Sequence, residues 1–375
     1  MKTWALLLVS LVALLAFTPV ATAEEESPAS RRSLKAKERN VRKAASRKKK
    51  ELREMGVKNV RVKAPGDWPR KVSVPKDAEV QEVPLPQDMS GHLYASNHYV
   101  YFSPVELDAA ARKTVSRLCE CAFAANKAIA EVLPVPRPVT ERGERKFIIT
   151  LQPSMEAYYA AGGPPRSAGV FMGSFRKGAH PLKEEDVAMD QVMIPFESLG
   201  LNKRGAVQRE DIDTHALVHE LTHQQFLLNG LPIWANEGWA EYVGYVPYVG
   251  EDLDFDRGFS LILHTARQRA AQNALDFDFR LIDFLTMDQQ TMYAYMPQGK
   301  DTYTLSVMAV AFFVHLDGKR GIEAMKAYLK ALLDGQGHDE AAEVLVAPYR
   351  TADRLQQAFV RAWKSKKVKV TFPKK

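Results

Sequence analysis

Short apolar runs rich in aromatic and β-branched residues alternate with longer segments of helical period along the middle of the chain. The short runs predict strands at residues 99–102, 147–151 and 189–196. A segment from Pro104 to Val132 has the apolar spacing of a helix, and from about residue 210 the pattern is almost entirely helical. We therefore predict one α+β domain over residues 91–365, with a small mixed sheet followed by a mainly helical C-terminal half.

One helix of the C-terminal half has well-marked ends. Asp211 and Asp213 are suited to cap its start, because carboxylates can accept hydrogen bonds from the free amides of a first turn. Gly230, followed by Pro232, is typical of its end. Its apolar side chains supply surface for burial: Ala216, Leu217, Leu221, Phe226 and Leu227. Ionisable residues inside such a helix need compensation, since burying them unpaired is costly.

The same helix carries His219-Glu220-Leu221-Thr222-His223. Histidines four residues apart lie on one face, close enough for both imidazoles to bind one zinc ion, and Glu220 points to the same side as a candidate general base. The other interpretation is an amphipathic surface helix with two partly exposed histidines and Glu220 as an ordinary helix former. The acidic residues further along the chain favour the metal site. His215, one turn earlier, extends the histidine stripe, and we interpret it as a supporting residue rather than a ligand.

A catalytic zinc ion keeps three protein ligands and one open position, so a third ligand is required. A metzincin would place a histidine six residues after His223, and Asn229 at that position excludes this class. Glu237 is the natural candidate, because the short turn after Asn229 allows a second helix to fold back on the first. Glu241, one turn later, is suited to accept the free ring N–H of a ligand histidine, which we assign to His219; a solvent-facing helix charge is the other interpretation.

Together these segments resemble the gluzincin metallopeptidases, the group that includes thermolysin and the zinc aminopeptidases. The resemblance is strong only at residues 215–245, in His219-Glu220-x-x-His223 and Asn236-Glu237-Gly238-x-Ala240-Glu241-Tyr242, and extends weakly over 140–365. It implies a thermolysin-like catalytic domain, Zn²⁺ as cofactor, Glu237 as third ligand and Glu241 as the acid that orients a ligand histidine. The spacing between the two motifs is shorter than in those two enzymes and is closer to small peptidase-MA-like families.

The resemblance also extends to one downstream tyrosine. Residues 303–316 predict an apolar helix, followed by Gly318, Gly321 and a further helix. In the zinc aminopeptidases a tyrosine begins a similar segment and donates a hydrogen bond to the developing oxyanion, which implies this role for Tyr303. A plain core tyrosine is equally compatible with the pattern, and three other tyrosines compete for the role: Tyr242, Tyr293 and Tyr295.

The N-terminal 23 residues predict a cleavable secretory signal. Lys2 precedes an apolar run over residues 4–17, and Ala21-Thr22-Ala23 offers a cleavage site. We expect a secreted or periplasmic protein, with no transmembrane span in the mature chain. Cys119 and Cys121 point away from each other on the helix predicted over 104–132, so we predict two buried thiols rather than a disulfide.

Charge is concentrated near the N-terminus. The chain has a formal net charge of +7, whereas residues 31–53 alone hold twelve Lys or Arg against two Glu. This segment could contact an anionic surface, although a solvated, partly helical spacer is the interpretation we favour, and we expect no nucleic-acid partner because no aromatic residues are interleaved. We predict that residues 24–90 are a basic segment followed by a proline-containing linker, and that residues 366–375 are a basic tail.

These observations predict an exported zinc metallopeptidase that hydrolyses a peptide or protein substrate. Glu220 would take a proton from the attacking water and pass it to the leaving amine. The alternative is a gluzincin-fold envelope or binding protein that binds zinc without cleaving. The presence of Glu220 argues against this alternative, since a structural zinc site needs no general base and prefers four protein ligands.

Overall fold

A computed structural model of the protein describes residues 68–73, 80–85, 89–134, 146–165, 167–175, 187–208, 214–226, 230–249 and 252–373. The predicted signal peptide, the basic segment at 31–53 and the predicted helix caps Asp211 and Asp213 lie outside the described residues. The described residues form an α+β fold with a six-stranded mixed sheet and a mainly helical C-terminal half, which confirms the predicted class.

Nine strands belong to two sheets. The strands are β1 (Lys71–Ser73), β2 (Gln81–Val83), β3 (His92–Ala95), β4 (Tyr99–Ser103), β5 (Phe147–Gln152), β6 (Val170–Phe175), β7 (Val187–Pro195), β8 (Tyr248–Val249) and β9 (Asp252–Asp254), counted over the described residues. The larger sheet has the order β2-β3-β4-β5-β7-β6, in which β4, β5 and β7 are parallel and the outer pairs are antiparallel. The smaller sheet has the order β1-β9-β8. The predicted strands at 99–102, 147–151 and 189–196 correspond to β4, β5 and β7.

Helices follow the same order along the chain. They are α1 (Ala109–Val132), α2 (Met155–Ala160), α3 (His215–Phe226), α4 (Ile233–Gly244), α5 (Phe255–Ala271), α6 (Leu281–Leu285), α7 (Gln289–Ala294), α8 (Thr302–Ala311), α9 (Gly318–Leu333), α10 (His338–Val346) and α11 (Ala352–Ser365). A π-helical turn, Phe312–Leu316, continues α8. Helices α1 and α3 pack against each other, and α3 also contacts β6 and β7, so the histidine motif lies against the sheet.

Capping decides where α1 begins. The apolar pattern predicted a start at Pro104, but the helix begins at Ala109 because Asp108 adopts an extended conformation and accepts a hydrogen bond from the Ala111 amide at 2.7 Å. Cys119 and Cys121 are both buried on this helix, and neither forms a disulfide, as predicted. No helix among the described residues has the length and apolar content needed to cross a membrane.

The predicted linker is corrected by the structure over part of its length. Trp68 is 3% exposed and stacks on Trp239, with ring centroids 6.3 Å apart. Strand β1 pairs with β9, and β2 pairs with β3 at the edge of the large sheet. The prolines suggested an irregular connector, but short edge strands tolerate nearby prolines. The folded body therefore begins by Trp68 rather than at residue 91.

The predicted basic tail is also part of the fold. Val368 and Val370 are buried, and the Phe277 amide donates a hydrogen bond to the Thr371 carbonyl at 3.1 Å. Phe372 stacks on Phe277, with ring centroids 5.8 Å apart. The lysines of this segment alternate with apolar residues, so one face packs while the other remains in solvent. Only residues 374–375 of the predicted tail lie outside the described residues.

Candidate metal centre

Polar side chains hold helix α3 in place against α1 and the central strands of the larger sheet. Gln225 donates a hydrogen bond to the Tyr99 hydroxyl at 2.6 Å and accepts one from Asn126 of α1 at 2.9 Å. Gln224 donates to the Ile148 carbonyl at 2.9 Å. These buried bonds fix the rotation of α3 about its axis, because each amide would lose a partner if the helix turned. Neither glutamine was predicted from the sequence to act in this way, although both directly follow the His-x-x-x-His motif.

Three side chains from α3 and α4 converge on one point. The Nε2 atoms of His219 and His223 are 2.9 Å apart, and Oε2 of Glu237 lies 3.4 Å from each. All three residues are buried, and they form a group that can hold a metal ion. The convergence follows from local structure: the histidines are one turn apart on α3, and α4, which begins at Ile233, packs alongside α3.

The donor set fits a metal ion with short bonds. Ligand atoms about 2.0–2.2 Å from a tetrahedral zinc ion are themselves about 3.3–3.5 Å apart, which matches both His–Glu separations. The two histidine nitrogens are closer than this by about 0.4–0.6 Å, so the imidazoles would separate slightly around an ion. Oε2 of Glu237 is buried and makes no hydrogen bond, which a cation between the three atoms would compensate.

Glu241 lies between two histidines. Its Oε1 is 3.2 Å from Nδ1 of His219, and its Oε2 is 3.2 Å from Nε2 of His215. If Nδ1 of His219 carries the proton and faces Glu241, Nε2 of His219 presents a lone pair to the point shared with Glu237. Glu241 and His215 therefore both lie beside the three converging residues, and His215 does not contribute to the point that those residues share.

Burial and charge act in opposite directions at these groups. Burial disfavours the charged form of Glu237 and Glu241, but the neighbouring histidines together have the larger effect on the pKa of each. His223 and His219 hold the pKa of Glu237 far below its usual range. His215 and His219 lower the pKa of Glu241 to about 2. Burial also disfavours protonation of His219, yet the nearby carboxylates of Glu237 and Glu241 raise its pKa. Both carboxylates are therefore ionised at neutral pH, as metal binding requires.

Glu220 faces the edge of the sheet. Its Oε2 accepts a hydrogen bond from the backbone amide of Phe171 in β6 at 2.7 Å. Close approach of the chain before β6 depends on Gly169, because a Cβ there would lie 2.3 Å from Cδ1 of Ile194 and 3.5 Å from Cγ of Glu220. The Phe171 ring in turn stacks on the His223 imidazole, with centroids 6.3 Å apart. Strand β6 thus brings its backbone and an aromatic ring to the side of α3 on which His219, His223 and Glu237 converge.

Two of the four candidate tyrosines border the site. Tyr303 lies at the start of α8, with its ring centroid 6.4 Å from that of His219. Tyr293 of α7 donates a hydrogen bond to Oε1 of Glu237 at 3.0 Å. Burial, followed by the Glu237 charge, raises the pKa of both phenols, so both are neutral donors at physiological pH. Tyr242 bonds instead with Trp68 and His315, and Tyr295 packs on Phe279.

Comparisons with protein-family models, with curated proteins and with solved structures find no match to this chain. The structure brings seven residues that the sequence singled out into one region: His219, Glu220, His223, Glu237, Glu241, His215 and Tyr303. Their roles stay predictions. The structure adds Phe171 and Tyr293, neither of which was singled out for its observed contact.

Proposed function

We propose that the protein is a zinc-dependent metallopeptidase of the gluzincin type. The observation that carries the proposal is the convergence of Nε2 of His219, Nε2 of His223 and Oε2 of Glu237 beside a further glutamate, Glu220, on the same helix. Two imidazoles and one carboxylate are a ligand set used by catalytic zinc ions, which retain an open position for water or substrate. A structural site with four protein ligands would instead leave no place for a reactant.

The chain's own residues can carry the proton transfers. A zinc ion held by the three ligand atoms would supply Lewis acidity, lowering the pKa of a water molecule and polarising a carbonyl group. Glu220 is ionisable, only partly buried and adjacent to both ligand histidines, so it can accept a proton from the attacking water. The same carboxyl group can then donate that proton to the amine of the departing fragment. Tyr303 is a neutral donor on the opposite wall, suited to bind an oxygen that gains negative charge.

Strand β6 supports a peptide as the substrate. It pairs with β7 on one side only, within the described residues, and the Phe171 amide points away from β7 towards Glu220. Amides alternate in direction along a strand, so Gly173, two residues later, turns its amide and carbonyl to the same edge. An extended peptide could pair with this edge while its scissile bond lies near Glu220.

Peptide-library digestion with the purified protein tests the proposal. We expect cleavage that stops on addition of a chelator and returns with Zn²⁺. Glu220→Gln should retain zinc, because Glu220 is not one of the three converging residues, and should lose about 10²–10⁴-fold in turnover. Glu131→Gln, an exposed position of α1, is the matched control and should behave as wild type. If the wild-type protein binds zinc but cleaves no peptide, the peptidase proposal is overturned and a zinc-binding protein without catalytic activity is favoured.

A further inference from the structure

The two oxygens of the Glu237 carboxylate have different environments. Oε2 is buried, makes no hydrogen bond and lies 3.4 Å from Nε2 of each histidine. Oε1 accepts a hydrogen bond from the Tyr293 hydroxyl at 3.0 Å. An ionised carboxylate is an acceptor with two equivalent oxygens, so any asymmetry must come from its neighbours. Here the neighbour comes from another helix, 56 residues further along the chain.

We propose that Tyr293 is a positioning residue that makes Glu237 a one-oxygen metal ligand. The inference rests on the metal centre of the proposed function. A carboxylate free to rotate can bind a cation with both oxygens, which adds one ligand atom and occupies the position that a reactant needs. The phenol hydrogen bond occupies Oε1 and directs Oε2 alone to the point shared with His219 and His223. Supporting hydrogen bonds of this kind orient ligands at other metal sites.

The direction of the Tyr293 hydroxyl is set by a second hydrogen bond. The side-chain amide of Gln289, one turn earlier on α7, donates to the Tyr293 oxygen at 3.3 Å. An oxygen that accepts this bond keeps its own proton for Glu237, so the phenol is held as a donor. Hydrogen bonds thus connect the exposed side-chain amide of Gln289, through the Tyr293 hydroxyl, to the buried carboxylate of Glu237.

Helix α7 is fixed at both ends although it is short. Asp288 caps it by accepting from the Thr291 amide at 2.8 Å. Met292 is fully buried, and its carbonyl accepts from the Thr302 hydroxyl at 3.4 Å. The Tyr293 ring lies parallel to the Tyr303 ring, with an interplanar angle of 6° and centroids 6.2 Å apart. These contacts hold the ring even without its hydroxyl, so Tyr293→Phe removes only the interactions of the hydroxyl, which are those with Glu237, Gln289 and Tyr303.

The test compares wild type with Tyr293→Phe, using zinc affinity and the visible spectrum of the cobalt-substituted protein. We expect zinc binding to weaken by about 10- to 100-fold, the usual cost of losing a ligand's supporting hydrogen bond. The cobalt absorption should lose intensity, because a carboxylate that binds through both oxygens raises the coordination number above four. Tyr295→Phe removes a hydroxyl two residues away, on a ring packed against Phe279, and should change neither quantity.

A second comparison separates positioning from general stability. In a Glu237→Gln background, Tyr293→Phe should cause little further loss of zinc affinity, because both changes act on the same interaction. Unchanged affinity and an unchanged cobalt spectrum in the single variant would overturn the role of Tyr293 while leaving the peptidase proposal intact. Failure of the wild-type protein to bind zinc or cobalt would overturn both. Equal unfolding temperatures of the metal-free chains would exclude a folding defect as the cause of weaker binding.

Discussion

Trp68 donates a hydrogen bond from its indole Nε1 to the Tyr242 hydroxyl, 2.9 Å away and 174 residues later in the chain. Tyr242 directly follows Glu241 on α4, the helix that also carries Glu237. The same hydroxyl lies 2.7 Å from Nε2 of His315. A segment that the sequence predicted to be a linker therefore packs against the helix that carries Glu237, one of the three residues that could hold a metal ion.

The first prediction concerns this contact. Trp68→Ala should lower the free energy of unfolding by about 3–5 kcal/mol, because it removes a large buried ring and leaves a cavity. Chemical denaturation measures the change, with Tyr159→Ala, at a ring 43% exposed, as the control expected to change little. A chain shortened to begin at residue 91 should show the same loss of stability, whereas a chain shortened to begin at residue 68 should keep the stability of the wild type. Equal stability of the two shortened chains would contradict the packing role of Trp68, β1 and β2.

A second prediction concerns the contact between α4 and α8. A Cβ on Gly238 would lie 2.7 Å from the Ser306 carbonyl oxygen and 2.9 Å from Cγ2 of Val310. Gly238→Ala should therefore destabilise the protein by about 1–3 kcal/mol, although alanine favours an isolated helix by about 1 kcal/mol over glycine. Thermal unfolding shows whether Gly238→Ala lowers or raises the stability of the protein. Gly258→Ala is the control, because the nearest neighbour of its Cβ would be a Val246 methyl group at 3.2 Å. A stabilising effect of Gly238→Ala would show that α4 and α8 can move apart without cost.

The third prediction concerns metal removal. A chelator should lower the unfolding temperature of the wild type, since an ion that binds only the native state adds about 2.7 kcal/mol at a free concentration one hundred times its Kd. His223→Ala and Glu237→Gln should unfold at the same temperature with and without chelator. His264→Ala, on α5, should keep the chelator effect of the wild type. A persistent chelator effect in both ligand variants would place the metal elsewhere.

A fourth prediction uses the alternation of β6. Gly173→Pro removes an amide that points to the outer edge, so it should raise KM for extended peptides by about 2- to 10-fold, the equivalent of one hydrogen bond, without lowering the unfolding temperature. Met172→Pro removes an amide that points towards β7, where Met172 is paired with Gln191, and should destabilise the fold. Identical effects of the two prolines on stability would contradict this assignment of edges.

The fifth prediction concerns acid stability. Burial lowers the pKa of His315 to about 3, so this imidazole is neutral in the folded chain while it becomes protonated below about 6.5 in the unfolded chain. The unfolded state then binds the extra proton, and folding stability falls as the pH drops from about 6.5 towards 3. At pH 4.5 the loss from this group should be about 2–3 kcal/mol relative to pH 7.5.

His315→Phe should flatten this part of the pH profile. It removes the titrating ring but leaves an aromatic side chain beside Phe259 and Tyr242. The change that the variant causes in the free energy of unfolding at pH 7.5 measures the loss of the hydrogen bond to Tyr242. The difference between wild type and variant in the slope of this free energy from pH 7.5 to 4.5 measures the protonation of His315. Parallel profiles for wild type and variant would mean that His315 is protonated in the folded protein as well.

Much of the fold and the core of the site followed from short-range patterns in the sequence. Short apolar runs rich in aromatic and β-branched residues identified β4, β5 and β7, and a helical period identified α1 and the C-terminal half. The spacing of His219 and His223 requires both rings on one helix face, and the turn before Pro232 brings Glu237 alongside. These relationships depend on the geometry of one or two turns of backbone, so a sequence read locally contains them.

Only the tertiary structure decided which distant side chains meet at the site. Which tyrosine, Tyr293 or Tyr303, donates a hydrogen bond to Glu237 depends on how α7 packs on α8. The pairing of Phe171 with Glu220 depends on which strand forms the sheet edge beside α3, and the sites of Trp68 and of residues 368–372 depend on surfaces assembled from the whole chain. Such contacts join residues tens to hundreds of positions apart, and their partners are selected by shape and burial of the folded core, which no local pattern of hydrophobic and polar residues encodes.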